Sequence, residues 1–206
     1  ILEEAPSIAL SPAARERLHG YALRIADALD YQSLGTVEFL YDLERDDIRF
    51  LEVNPRVQVE HPVTEAVTGV DLVREQILGA FGEHLDLRQN EIRIDGHAIE
   101  LRLTAQDPAQ GLCPAPGVVT RWRPHPIGGV RWDTHLHEGY VFPPYYDALM
   151  AKLIAHGADR SVALARLRES VARLEVEGIV TTQPMLQQLL DHPAVKRYCM
   201  RAGANA

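Results

Sequence analysis

Thr36-Val-Glu-Phe-Leu-Tyr-Asp42 and Ile48-Arg-Phe-Leu-Glu-Val-Asn54 are two β-branched and aromatic runs joined by a charged turn around Arg45-Asp46-Asp47. Such runs favour extended, half-buried backbone, and the break between them predicts a β-hairpin. With the turn centred near residues 45–46, cross-strand partners sum to about 90–92, so Glu38 stands opposite Glu52 to Asn54. Glu52 and Asn54 share a face because they are two residues apart. Two carboxylates and an amide oxygen then converge. Hard oxygen donors of this kind suit Mg²⁺ or Mn²⁺, which keep waters and are completed by substrate phosphates. Leu40 lies on the Glu38 face and offers an apolar contact to the base that accompanies those phosphates. The same residues also fit a solvated sheet face, with the charges out and Val37, Phe39, Tyr41, Leu51 and Val53 in. Facing glutamates repel unless a cation lies between them, which weighs on the side of the metal.

Alternation continues past the hairpin. Glu52, Asn54, Arg56, Gln58 and Glu60 are polar, and Leu51, Val53, Pro55, Val57 and Val59 are apolar. An extended chain would carry all five polar groups on one side. Arg56, Gln58 and Glu60 would there make a pocket for a small planar anion: a guanidinium grips an oxyanion by two parallel hydrogen bonds, and a nearby glutamate takes its proton.

Upstream, Ser11-Pro12 and the apolar positions Leu18, Tyr21, Ala22, Ile25, Ala26 and Leu29 predict an amphipathic helix over 11–31. Ile1-Leu-Glu-Glu-Ala-Pro6 before it reads as an acidic linker, and the absence of a starting methionine suggests a fragment. Downstream, helices are expected at 62–68 and 70–81, and a domain boundary in the polar stretch from Gly82 to Asp95. Beyond it His97–Ala105, Val118–Arg123 and Val130–Leu136 read as strands. Ala148–His156 fits a strand or a buried helix, and 159–177 and 183–190 read as helices. The mixed order points to an α+β second unit.

The chain has 206 residues, 46% hydrophobic and 24% charged, which excludes a disordered tail or a disulfide-built mini-protein. With a net charge of −8 it disfavours nucleic acid and anionic membrane as partners. Lys152 and Lys196 are the only lysines, so a phosphate site here has few point charges to draw on. Cys113 and Cys199 show no metal-ligand spacing and are expected to be reduced thiols.

Phe50-Leu-Glu-Val-Asn-Pro-Arg-Val-Gln-Val-Glu-His-Pro62, Gly96-His-Ala-Ile-Glu-Leu-Arg102, Gly129-Val-Arg-Trp-Asp-Thr-His135 and Gly139-Tyr-Val-Phe-Pro-Pro-Tyr-Tyr-Asp147 closely resemble the biotin carboxylase family of ATP-grasp ligases. The resemblance runs over essentially residues 1–197. It implies an α+β fold: the C-terminal part of an ATP-grasp domain over 1–90, then the biotin carboxylase C-terminal domain over 91–206. The implied reaction has two steps. ATP activates bicarbonate as carboxyphosphate, and the resulting CO₂ carboxylates a ureido nitrogen of biotin held on a carrier protein. Glu38, Glu52 and Asn54 match the family's metal positions, and Glu38, Leu40 and Glu52 its ATP contacts. Arg56, Gln58, Val59 through its backbone, and Glu60 match the bicarbonate site, with Glu60 the expected general base. Arg102 matches the arginine that holds bicarbonate and stabilises the biotin enolate. ATP, Mg²⁺ or Mn²⁺, and carrier-bound biotin are the implied cofactors.

The implied partners are a biotin carboxyl carrier protein or domain, a carboxyltransferase subunit or domain, and a second copy of the chain. The setting is that of an acyl-CoA carboxylase of fatty acid biosynthesis or a related enzyme, in the cytoplasm or, in a eukaryote, the mitochondrial matrix. The family's glycine-rich lid, nucleotide-contacting lysines and biotin-side histidine would precede Ile1, so the chain alone is expected to be inactive and to expose apolar surface.

Arg131 lies at the family's dimer contact, although beside Trp132 it also fits a surface stack. Asp147 reads as a turn or capping residue, or as shaping the biotin side. His61 reads as a structural partner of the Glu60 segment. His135 and His137 share a strand face but lack a third metal ligand. Gln106 and Leu101 depart from the glutamate and cysteine common in relatives. A non-catalytic dimerisation or subunit-docking module is the alternative of another class. A carbamoyl-phosphate type of ligase shares the Glu-x-Asn pattern but should lack the block around Arg102.

Overall fold

Residues 1–197 are described by a computed structural model. They form two units, one comprising Ala5–Asp95 and the other Ile1–Glu4 together with the chain from Gly96 onward. Cys199 lies outside the described residues, and Cys113 is a free, exposed thiol.

After a first strand, β1 (Leu2–Ala5), the Ala5–Asp95 unit runs α1 (Pro12–Ala28), β2 (Thr36–Asp42), β3 (Asp47–Asn54), α2 (His61–Thr68) and α3 (Leu72–Ala80). Helix α1 starts where the sequence places its cap: Ser11 Oγ accepts from Ala14 N at 3.1 Å, with Pro12 in the first turn. Asp71 caps α3 in the same way, through Arg74 N. Strands β2 and β3 pair antiparallel as Thr36↔Asn54, Val37↔Val53 and Glu38↔Glu52, then shift to Phe39↔Phe50. Leu51 is therefore bulged out of the ladder. The bulge turns Phe50 toward Phe39, their rings meeting edge to face at 6.2 Å, and leaves Leu51 exposed where strict alternation expected it inside. Asp46 in the turn accepts from Arg17 of α1 at 2.7 Å and from Tyr41 at 2.8 Å, and these bonds hold its carboxyl below the usual range.

Only Ala14, Pro62, Val63 and Val67 are buried in this unit among the described residues. Leu23, Leu40, Phe50, Ile77 and Phe81 are exposed, which matches the expected apolar surface.

The other unit contains β4 (His97–Thr104), β5 (Gln106–Asp107), β6 (Cys113–Pro114), β7 (Gly117–Val118), β8 (Arg121–Arg123), β9 (Val130–Thr134), β10 (Val141–Phe142), β11 (Leu149–Gly157), α4 (Arg160–Arg173), β12 (Glu175–Glu177), α5 (Gln183–Asp191) and α6 (Pro193–Arg197). Its main sheet has the order β1-β4-β11-β9. Residues 149–157 resolve as a strand because both edges of β11 are paired, to β4 and to β9. The opening of the chain is an edge strand where a linker was expected. Glu4 anchors it by accepting from Arg160 Nε at 2.6 Å and meeting His97 Nε2 at 2.8 Å. The helix expected over 159–177 stops at Arg173, since Leu174 turns to extended backbone (ψ 124°) and Glu175–Glu177 pair with β8.

One face of the main sheet is apolar. Ile99, Leu101 and Leu103 of β4 and Ala151, Leu153 and Ala155 of β11 form the core together with Ala163, Leu164, Leu167 and Val171 of α4. The α4 residues recur at helical spacing on one side, so the helix lies on this face. Gly96 at the entry to β4 has φ 62°, and a Cβ there would collide with the Gly157 carbonyl, which only glycine avoids.

Candidate functional site

The hairpin register puts Glu38 and Glu52 directly opposite each other. Asn54, two residues beyond Glu52, sends its amide nitrogen to both carboxylates, 2.8 Å to Glu38 Oε1 and 2.8 Å to Glu52 Oε1. Gln58 Nε2 donates to the same Glu38 oxygen at 2.6 Å. Two like charges are thus held together by neutral donors at the place where a cation would neutralise them. An amide turned by half a rotation presents oxygen instead of nitrogen, so Asn54 can serve as donor or as metal ligand from one position. The residues fit a Mg²⁺-type ion of two carboxylates and an amide, with its remaining positions left to water and phosphate. No group of three or more His, Cys, Asp or Glu suited to a metal occurs among the described residues. Leu40, 59% exposed and two residues from Glu38 on the unbulged strand, sets an apolar side chain beside the acids.

Strand β3 ends at Asn54, so the extended run expected to continue to Glu60 is replaced by an irregular turn. Convergence survives by a different route. The turn folds Gln58 back onto Glu38, and Arg56 Nη2 lies 3.5 Å from Asn54 Oδ1 while its Nη1 donates to the Val57 carbonyl at 3.2 Å. Val59 and Glu60 are half-buried, and Glu60 is the residue from which α2 starts; its side chain makes no capping bond. His61 Nδ1 lies 2.7 Å from the Gln58 carbonyl and its Nε2 lies 3.8 Å from Glu65, a structural placement as expected.

Arg102 belongs to the other unit. On the second face of the main sheet it stands opposite Lys152, which stands opposite Asp133. Arg102 Nη2 pairs with Glu3 of β1 at 2.9 Å, Lys152 with Asp133 at 3.7 Å, and Arg131 with Asp133 at 2.8 Å. Glu100, two residues before Arg102 on that face, is fully buried. Removal from water pushes its carboxyl up to about 8. Sequence reasoning missed Glu3, Glu100, Asp133 and Lys152; the signal was present in the alternation Ala98-Ile-Glu-Leu-Arg102, where charges interrupt an apolar strand.

Trp132 packs edge-on to Trp122 at 5.9 Å, and Arg131 pairs with Asp133 at 2.8 Å. Asp147 Oδ1 accepts from Leu149 N at 2.8 Å, a turn role. His135 and His137 both meet the Tyr140 ring, at 5.0 and 5.7 Å.

Comparison with known proteins matches residues 100–203 to the family described as the biotin carboxylase C-terminal domain, and residues 1–88 to the carbamoyl-phosphate synthase L chain ATP binding domain. Biotin carboxylase 1 of Bacillus subtilis is 44% identical over 192 residues, 93% of this chain and 43% of that protein. The biotin carboxylase of Halalkalibacterium halodurans is 46% identical over 193 residues, 94% of this chain and 42% of that protein. The biotin carboxylase domain dimer of Hydrogenobacter thermophilus 2-oxoglutarate carboxylase, solved with MgADP, ADP and bicarbonate, superposes with a TM-score of 0.92 at 39% identity, covering 96% of this chain and 43% of that one. The chain spans about two fifths of the length of these relatives. With a family match over half its length and this likeness over nearly all of it, the chain belongs to the biotin carboxylase family.

Proposed function

We propose that these residues are part of a biotin carboxylase, an ATP-dependent ligase that carboxylates biotin on a carrier protein through carboxyphosphate. The observation that carries the reading is the pair of facing carboxylates, Glu38 and Glu52, linked by Asn54 and backed by Gln58. A divalent ion, Mg²⁺ or Mn²⁺, held by Glu38, Glu52 and Asn54 would neutralise the phosphates of ATP. Leu40 would contact the adenine. Arg56 and Gln58, with the Val59 backbone, would orient bicarbonate, and Glu60 would take its proton as it attacks the γ-phosphorus. Arg102 would hold bicarbonate and stabilise the oxyanion that develops on biotin, the kind of fixed cation such a step needs. Residues 1–90 are assigned to the end of the ATP-grasp domain and 91–206 to the biotin carboxylase C-terminal domain. A carrier protein or domain and a carboxyltransferase are the proposed partners. Homodimerisation is proposed through the C-terminal domain at Arg131, and the setting is the cytoplasm.

Mn²⁺ added to the labelled chain is expected to broaden the NMR signals of Glu38, Glu52 and Asn54 first, and Glu52→Gln is expected to weaken this by about 10-fold, since one of two charged ligands is lost. Broadening that spreads evenly over exposed acids, or that survives in Glu52→Gln, would remove the metal from the reading.

A further inference from the structure

The charged face of the main sheet holds one side chain with no assigned work. Along β4 that face carries Ala98, Glu100, Arg102 and Thr104, and the register sets Glu100 opposite Ile154 of β11, with Arg131 of β9 beyond Ile154. The immediate surroundings of the Glu100 carboxyl are therefore partly apolar. The charged groups around it are Glu3 from β1, Arg102 on its own strand, Lys152 from β11, and Asp133 with Arg131 from β9; His156 stands farther along the same face, opposite Ala98. The other two carboxylates are already matched: Glu3 holds Arg102, and Asp133 holds Lys152 and Arg131. Both oxygens of Glu100 are buried and without a hydrogen-bond partner among the described residues.

An unmatched buried carboxylate is costly, whereas a neutral carboxyl in the same place is tolerated. Two residues along the strand on the same face, it feels the Arg102 guanidinium, and Lys152 more strongly. We propose that Glu100 is a positioning residue for Arg102: as the neutral acid it leaves the guanidinium on Glu3, and when it loses its proton to solvent the new carboxylate draws the guanidinium away. The inference rests on the reading of Arg102 as the oxyanion-holding group. It makes Glu100 the residue that sets the upper pH limit of that group's geometry.

Carbon-detected NMR of the labelled chain follows the Glu100 carboxyl carbon and the Arg102 guanidinium carbon together. Glu100 is expected to titrate near 8, and Arg102 to shift with the same midpoint. In Glu100→Gln, a neutral isostere, the Arg102 signal is expected to stay through that range at its low-pH position. Titration of Glu100 in the ordinary carboxylate range, or an Arg102 signal that ignores it, would overturn the proposal, and the wild-type titration decides this even where the variant fails to fold. In the complete enzyme, bicarbonate-dependent ATP cleavage is expected to fall as pH rises through about 8 in the wild type and not in Glu100→Gln; the same fall in both would count against the proposal. Absence of that cleavage at every pH in the wild type would instead sink the functional reading and leave the NMR coupling intact.

Discussion

Glu60→Gln in the complete enzyme is expected to lower bicarbonate-dependent ATP cleavage by about 10²–10⁴-fold, the usual contribution of a positioned general base. Glutamine keeps the shape and one acceptor oxygen but cannot take the proton that bicarbonate gives up as it attacks phosphorus. The residue sits where an irregular turn passes into α2, and its side chain does not cap the helix, so the substitution removes no capping bond. The loss should appear in turnover, and the melting temperature of the variant separates it from a loss of fold. A variant that retains cleavage within a few fold would move the base to another residue, and one that unfolds would mark Glu60 as structural.

The second large effect is a pH dependence of stability. Glu100 has an ordinary value of 4.5 when unfolded and is pushed up to about 8 when folded, chiefly by removal from water. Between those values the folded chain keeps a proton that the unfolded chain has released. The stabilisation tied to that proton is complete below 4.5 and falls away as pH rises to about 8. The slope for a single group is about 1.4 kcal/mol per pH unit. Urea denaturation of wild type and Glu100→Gln at a series of pH values between 5 and 8 isolates it, because every other titrating group is common to both. The wild type is expected to lose stability relative to the variant steadily across that window. Parallel curves would show that Glu100 ionises normally.

How much of this was legible in the sequence differs from element to element. The register of the hairpin was, because residue parity and the turn position alone set Glu38 opposite Glu52. The bulge at Leu51 was not: strict alternation places Leu51 inside, whereas the register shift leaves both Phe50 and Leu51 exposed. Strand β1 was hidden because Leu-Glu-Glu-Ala has no strand signature of its own. It is held by partners distant in sequence, Glu4 on Arg160 and Glu3 on Arg102. The same holds for 149–157, where an apolar run allows helix or strand and pairing on both edges decides. At the site, the acids and Asn54 follow from spacing, and Gln58 reaches Glu38 through a turn rather than through the extended run the alternation suggested. The importance of Arg102 came from resemblance alone, and the charge pattern around it became visible only when β1, β4, β11 and β9 were set side by side.

We propose that this chain supplies metal, bicarbonate and oxyanion groups of a biotin carboxylase; phosphoryl transfer needs every phosphate positioned and water excluded, so the chain alone is expected to be inactive. The most direct measurement is ADP release with and without bicarbonate, in the presence of biotin, from the 206-residue chain and from the complete enzyme that contains it. Bicarbonate-dependent release is expected from the complete enzyme and none from the chain alone. Bicarbonate-dependent release from the isolated chain, or none from the complete folded enzyme, would contradict it.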